Sequence, residues 1–68
     1  MNNNKKTVLP AVREYLKTLR SEKGVTIETI ASELKVSYAT VAGWSAGRAC
    51  PNYPTIKYME HKYGGKVL

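Results

Sequence analysis

The tightest constraint on this chain is that its 68 residues contain one cysteine and one histidine. A chain this short buries only about 60% of the surface it exposes when unfolded, so its core is thin. Small proteins usually compensate with disulfides or a structural metal. Cys50 alone closes no internal bridge, and Cys50 with His61 cannot supply the four ligands of a structural zinc. The fold therefore rests on the packing of regular elements, with self-association as the remaining aid, and no metal or other cofactor is expected. A chain without a disulfide framework suits a reducing cytosol, so a cytoplasmic location is expected.

Hydrophobic spacing makes those elements helices. Residues 1–8 open with an Asn-rich, basic stretch that offers nothing to bury, and are expected to form a flexible arm. Pro10 suits a first helical turn, where its missing N–H is harmless. Val12, Leu16 and Leu19 then recur at helical spacing beside Tyr15, which predicts a helix from Pro10 to Lys23, stopped by Gly24. Thr26 is an N-cap for a short helix of about residues 27–35, striped by Ile27, Ile30, Ala31 and Leu34. Val36 follows as an apolar plug. Ser37 caps a third helix, about residues 38–46, with Val41 and Trp44 inward and Gly47 as terminator. Asn52 caps a fourth, Tyr53 to Tyr63, buried along Ile56, Met59 and Tyr63 and ended by Gly64 and Gly65. Residues 65–68 form a short tail. No segment alternates as a strand, so the expected class is all-α, a compact four-helix domain over residues 9–64.

Eleven Lys and Arg oppose five Glu, with no Asp, giving a net charge of +6 and a sequence pI near 9.7. So large a surplus on so small a body calls for an anionic partner, nucleic acid or an anionic surface. No apolar run approaches the roughly 20 residues of a membrane span, and the N-terminus lacks the apolar core of a signal peptide. Enzymatic function is not expected: without Asp there is no Ser-His-Asp set, and neither a metal cluster nor a glycine-rich phosphate loop is present.

Two short helices joined by a tight turn, the second capped by Ser37, are what a helix-turn-helix requires. The stretch Thr26 to Pro51, TIETIASELKVSYATVAGWSAGRACP, resembles the lambda-repressor-like (Xre/Cro-type) helix-turn-helix domain. Counting Ile27 as the first motif position, the interior positions of that family fall on Ile30, Ala31, Leu34, Val36, Val41 and Trp44, and all six carry suitable residues. Gly47 and Pro51 stand where the family often has Gly and Pro after its Trp. Three positions depart. Lys35 replaces the usual turn Gly, Ile27 replaces a Gln able to touch DNA, and Ser45 replaces a Glu that pairs in relatives with the residue matching Arg20.

The resemblance implies a prokaryotic or phage regulator, a repressor by the family's habit, that lays its third helix in the major groove. It places Ser37, Tyr38, Ala39, Thr40, Ala42 and Gly43 against base edges. That set lacks Arg, Lys, Asn and Gln, the side chains that make bidentate contacts with G or A. Tyr38 is its one large reader, while Ala39 and Ala42 can meet thymine methyl groups. Gly43 weakens a helix by roughly 1 kcal/mol relative to Ala and should have a reason, either close approach to DNA or close packing inside the chain. Phosphates are expected at the backbone N–H groups of Thr26 and Ile27, and at Lys35, Ser45, Arg48, Asn52 and Lys57. The implied partner is double-stranded DNA with a palindromic operator, bound by a weak homodimer or one completed on DNA, with helix 4 and the tail as candidate interface. Arg13 and Lys17 read as a wetted helix face, and Cys50 and His61 as incidental. Two other classes fit the composition: a protein-binding module that acts on a partner regulator, antirepressor- or antitoxin-like, and an RNA binder using the basic surface and tyrosines.

Overall fold

The computed structural model describes residues 3–67, so Met1, Asn2 and Leu68 lie outside the described residues. Four helices follow one another, α1 (Asn3–Lys23), α2 (Ile27–Leu34), α3 (Tyr38–Ala46) and α4 (Tyr53–Tyr63), and the described residues contain no strand. Their radius of gyration, 11.0 Å, is that of one tightly packed body of this length.

Each short helix begins at the cap its sequence predicts. Thr26, Ser37 and Asn52 all adopt extended backbone, and their side-chain oxygens accept from the amides of Thr29, Thr40 and Thr55, each at 3.1 Å. α2 and α3 also end alike. At the end of α3, Gly47 turns left-handed (φ 81°) and Arg48 N–H donates to the Gly43 carbonyl at 2.9 Å. At the end of α2, Lys35 takes the same role (φ 59°, ψ 44°) and Val36 N–H donates to the Ala31 carbonyl at 3.0 Å. The turn thus keeps the left-handed step where glycine is usual, and the β-carbon of Lys35 makes that step cost about 1 kcal/mol or more. Helix α2 accordingly stops at Leu34, one residue before the expected end.

Of the expected N-terminal arm, residues 3–8 are helical instead, and Met1 and Asn2 lie outside the described residues. α1 starts at Asn3, and Pro10 sits inside it. The apolar stripe of α1 reaches one turn further upstream than Val12: Val8 is half-buried against the core at i, i+4 spacing from Val12. Tertiary packing of that turn outweighs the one backbone hydrogen bond that Pro10 cannot donate.

The core gathers Val12, Tyr15, Leu16 and Leu19 of α1, Ile30 and Ala31 of α2, Val41 and Trp44 of α3, and Ile56 and Met59 of α4. Fully burying aliphatic side chains of this size contributes about 1.5–3 kcal/mol each. α1 and α2 both pack on α3, and the small side chain of Ala31 lets α2 approach it. α4 is pinned to α1 by a polar clamp. The Tyr15 hydroxyl lies 2.7 Å from the Gly64 carbonyl and 3.1 Å from that of Met59. The tail is also part of the body: Val67 is buried, and its N–H donates to Glu60 Oε2 at 2.7 Å. The short tail is thus packed on the body through Val67, with Leu68 outside the described residues. No helix among the described residues is long and apolar enough to cross a membrane.

Candidate functional site

The N-terminal ends of α2 and α3 lie on one side of the molecule, where Arg20, Gly24, Val25, Thr26, Ile27, Glu28 and Tyr38 line an open groove. Two helix N-termini carry partial positive charge and unpaired backbone N–H groups, so this edge favours an anion, with Glu28 as the opposing charge.

On α3, helical geometry divides the residues sharply. Val41 is fully buried and Trp44 is 6% exposed, whereas Ser37, Tyr38, Ala39 and Thr40 face outward. Tyr38 is 56% exposed, the second most exposed large apolar side chain after Tyr53 among the described residues. An aromatic ring left in water at the edge of this groove is free to stack or to hydrogen-bond. The Ser37 hydroxyl is partly committed, since it accepts the Thr40 amide and lies 2.9 Å from Thr40 Oγ1. Ala42 is half-buried.

Gly43 departs from its expected place among the exposed readers, because it is buried. Even so, a β-carbon built there would meet no heavy atom within 4 Å outside its own helix backbone and neighbours. Packing inside the chain therefore does not require glycine at this position.

The expected anion-facing residues separate into two groups. Thr26, Lys35, Arg48 and Asn52 are exposed, and Ile27 is half-buried with its apolar side chain against the core while its backbone opens α2. Thr26 and Asn52 spend their side-chain oxygens on helix caps, which leaves the Asn52 amide NH₂ to donate. Ser45 is half-buried and accepts a long hydrogen bond, 3.5 Å, from Arg20 Nη1. A neutral contact thus stands where relatives of the resembled family have an ion pair.

Lys57 belongs to a different arrangement. Its ammonium is 3.1 Å from Glu60 Oε1 and 5.5 Å from the centre of the Tyr53 ring. The hydrogen bond to Glu60, then that carboxylate's charge, raise its pKa. Lys57, expected to meet phosphate, is exposed and paired with a carboxylate. Lys62 is held likewise, 3.3 Å from Glu33 Oε1.

From the sequence, Arg13 and Lys17 read as a wetted helix face, and Arg20 only as the match to an ion-pairing residue of the resembled family. The structure sets all three in a cleft with Glu14 and Ser45, beside the end of α3. Their i, i+4, i+7 spacing was visible in the sequence, but the helix they lie beside was not. Among the described residues no group of three or more His, Cys, Asp or Glu side chains gathers as a metal site. No protein-family model, curated protein or solved structure matches this chain.

Proposed function

We propose that this protein is a sequence-specific double-stranded DNA-binding regulator of the lambda-repressor-like helix-turn-helix kind, with α3 as the helix that enters the major groove. The observation that carries the reading is the division of α3: Val41 and Trp44 fasten it to the core, while Ser37 to Thr40 project from the molecule. A nine-residue helix presented in this way, joined to α2 by the three residues Lys35 to Ser37, fits a groove about 12 Å wide.

The surplus of positive charge supports the same partner. Two of the five glutamates, Glu33 and Glu60, are engaged with lysines of α4, which leaves most of the other cations to a polyanion. Phosphates meet the amides opening α2 at Thr26 and Ile27 and the side chains of Arg48, Asn52, Lys35 and Ser45. Base discrimination rests on Tyr38, on methyl contacts from Ala39 and Ala42, and on the deformability of the DNA. Gly43 serves the approach of the DNA: nothing inside the chain explains a residue that weakens the helix by about 1 kcal/mol. With Val67 buried in its own core, the surface left to a partner subunit is that of α4, where Tyr53 and Tyr58 are exposed, and the dimer is weak and completes on two half-sites about one DNA turn apart.

Selection of bound sites from a random duplex pool, followed by titration at stated ionic strengths, tests this reading. A recovered palindromic preference is expected, with affinity falling about 10³–10⁵-fold between roughly 50 and 200 mM salt if the bound unit neutralises 6–10 phosphates. Tyr38→Ala relaxes the preference, and Arg48→Ala weakens binding to selected and scrambled duplexes alike. Preference for single-stranded RNA, or a salt-insensitive stoichiometric complex with a protein, would replace this function with one of the two other classes.

A further inference from the structure

The cleft between α1 and the end of α3 holds a row of cations that the major-groove reading does not use. Arg13, Lys17 and Arg20 follow one another at i, i+4 and i+7 on one face of α1, and Ser45 of α3 closes the cleft. Arg13 runs along the residue that ends α3: a β-carbon built on Gly47 would lie 3.5 Å from its Cδ and 3.7 Å from its Nη1. Arg20 donates to Ser45 at the same cleft and also lines the groove that contains Tyr38. The row is therefore continuous with the proposed DNA-facing surface and extends it past the far end of α3.

Two features set these cations apart from those of α4. Like charges at i, i+4 repel along a helix, so a row of three is held at a cost. Lys57 and Lys62 relieve their charge on Glu60 and Glu33, whereas no ion pair to Arg13, Lys17 or Arg20 occurs among the described residues. Glu14 is the one carboxylate in the cleft and leaves it a net positive charge. Arg20 offers five N–H donors, of which the structure commits one.

We propose that Arg13, Lys17 and Arg20 form a phosphate track that grips the DNA backbone beyond the half-site read by α3. This inference rests on the DNA-binding reading and adds a second contact surface to it. Guanidinium groups are suited to phosphate through paired N–H···O bonds, and Lys17 adds a point charge between them.

The test compares R13Q/K17Q with K23Q/K66Q, a variant that loses the same charge in the separate cleft formed by α1 and the tail. All four side chains are exposed, and thermal melts establish that each variant is folded. Fluorescence anisotropy with the selected duplex then gives the slope of log affinity against log salt concentration. The expected loss in R13Q/K17Q is roughly 0.9 per phosphate contact, close to two for the pair, with the preference for selected over scrambled duplex unchanged. K23Q/K66Q keeps the wild-type slope. Equal slopes in R13Q/K17Q and wild type would overturn the track while leaving the DNA-binding reading intact, and equal losses in both variants would reduce it to net charge. Wild-type protein that binds duplex without salt dependence would remove the reading and the track together.

Discussion

Gly43→Ala separates what the fold needs from what the partner needs. Gly43 lies inside α3 at an ordinary helical φ, since the only positive values among the described residues are at Lys35 and four other glycines. Alanine there restores roughly 0.5–1 kcal/mol of helix preference. Its methyl group meets no heavy atom within 4 Å, so no repacking cost offsets the gain. In a domain of this size 1 kcal/mol moves the melting temperature by about 4–8 °C, which makes the expected rise about 2–8 °C. Thermal unfolding followed by far-ultraviolet circular dichroism measures it. The same methyl group lies on the side of α3 shared with Ala39 and Ala46, so affinity for the selected duplex should fall even as stability rises. A lower melting temperature would show that Gly43 has a packing role. Unchanged affinity in a stabilised variant would show that the α3 backbone does not approach DNA there.

Two tyrosines should respond with opposite signs to loss of a hydroxyl. Tyr15→Phe removes the clamp on the Met59 and Gly64 carbonyls and should cost about 1–2 kcal/mol in denaturant unfolding; Tyr63 Oη is buried with no partner among the described residues, so Tyr63→Phe should leave stability equal or raise it by up to about 1 kcal/mol. Burial first, then Glu60 for Tyr15 and Glu33 for Tyr63, push both phenols above their ordinary 10.0. Unfolded tyrosines ionise near that value while the folded ones keep their protons, so stability from the pair is complete below about pH 10 and declines as pH climbs past it. Lys57 and Lys62, raised by Glu60 and Glu33 from 10.5, act in the same direction, and melting temperatures that rise with pH above 10 would contradict this assignment. Lys35→Gly relieves the left-handed β-carbon and should stabilise by about 0.5–1 kcal/mol in the same unfolding assay, while weakening DNA binding through loss of one charge.

The parts of the fold legible in the sequence are those fixed by neighbours a few residues apart. Thr26, Ser37 and Asn52 are caps because each oxygen needs only the amide three residues on, and the inward set Ile30, Ala31, Val41 and Trp44 follows from helical spacing alone. What was missed depends on distant approach. Tyr15 finds its acceptors 44 and 49 residues away, Val67 is buried by a tail with no periodic signal, and Pro10 looks like a helix start until Val8 is seen on the core. Among site residues, exposure of Ser37 to Thr40 could be read from the period of α3. The burial of Gly43, the pairing of Lys57 with Glu60 three residues on and the seat of Arg13, Lys17 and Arg20 beside Ser45 depend on side-chain contacts that residue types do not rank.

The central claim, that the outward side of α3 and the opening of α2 meet duplex DNA, is tested most directly by amide chemical-shift mapping during titration with the selected duplex. The largest shifts should fall on residues 26–28 and 37–43, with α4 beyond Asn52 nearly silent. Shifts concentrated on Tyr53 to Lys62, with α3 unmoved, would contradict it.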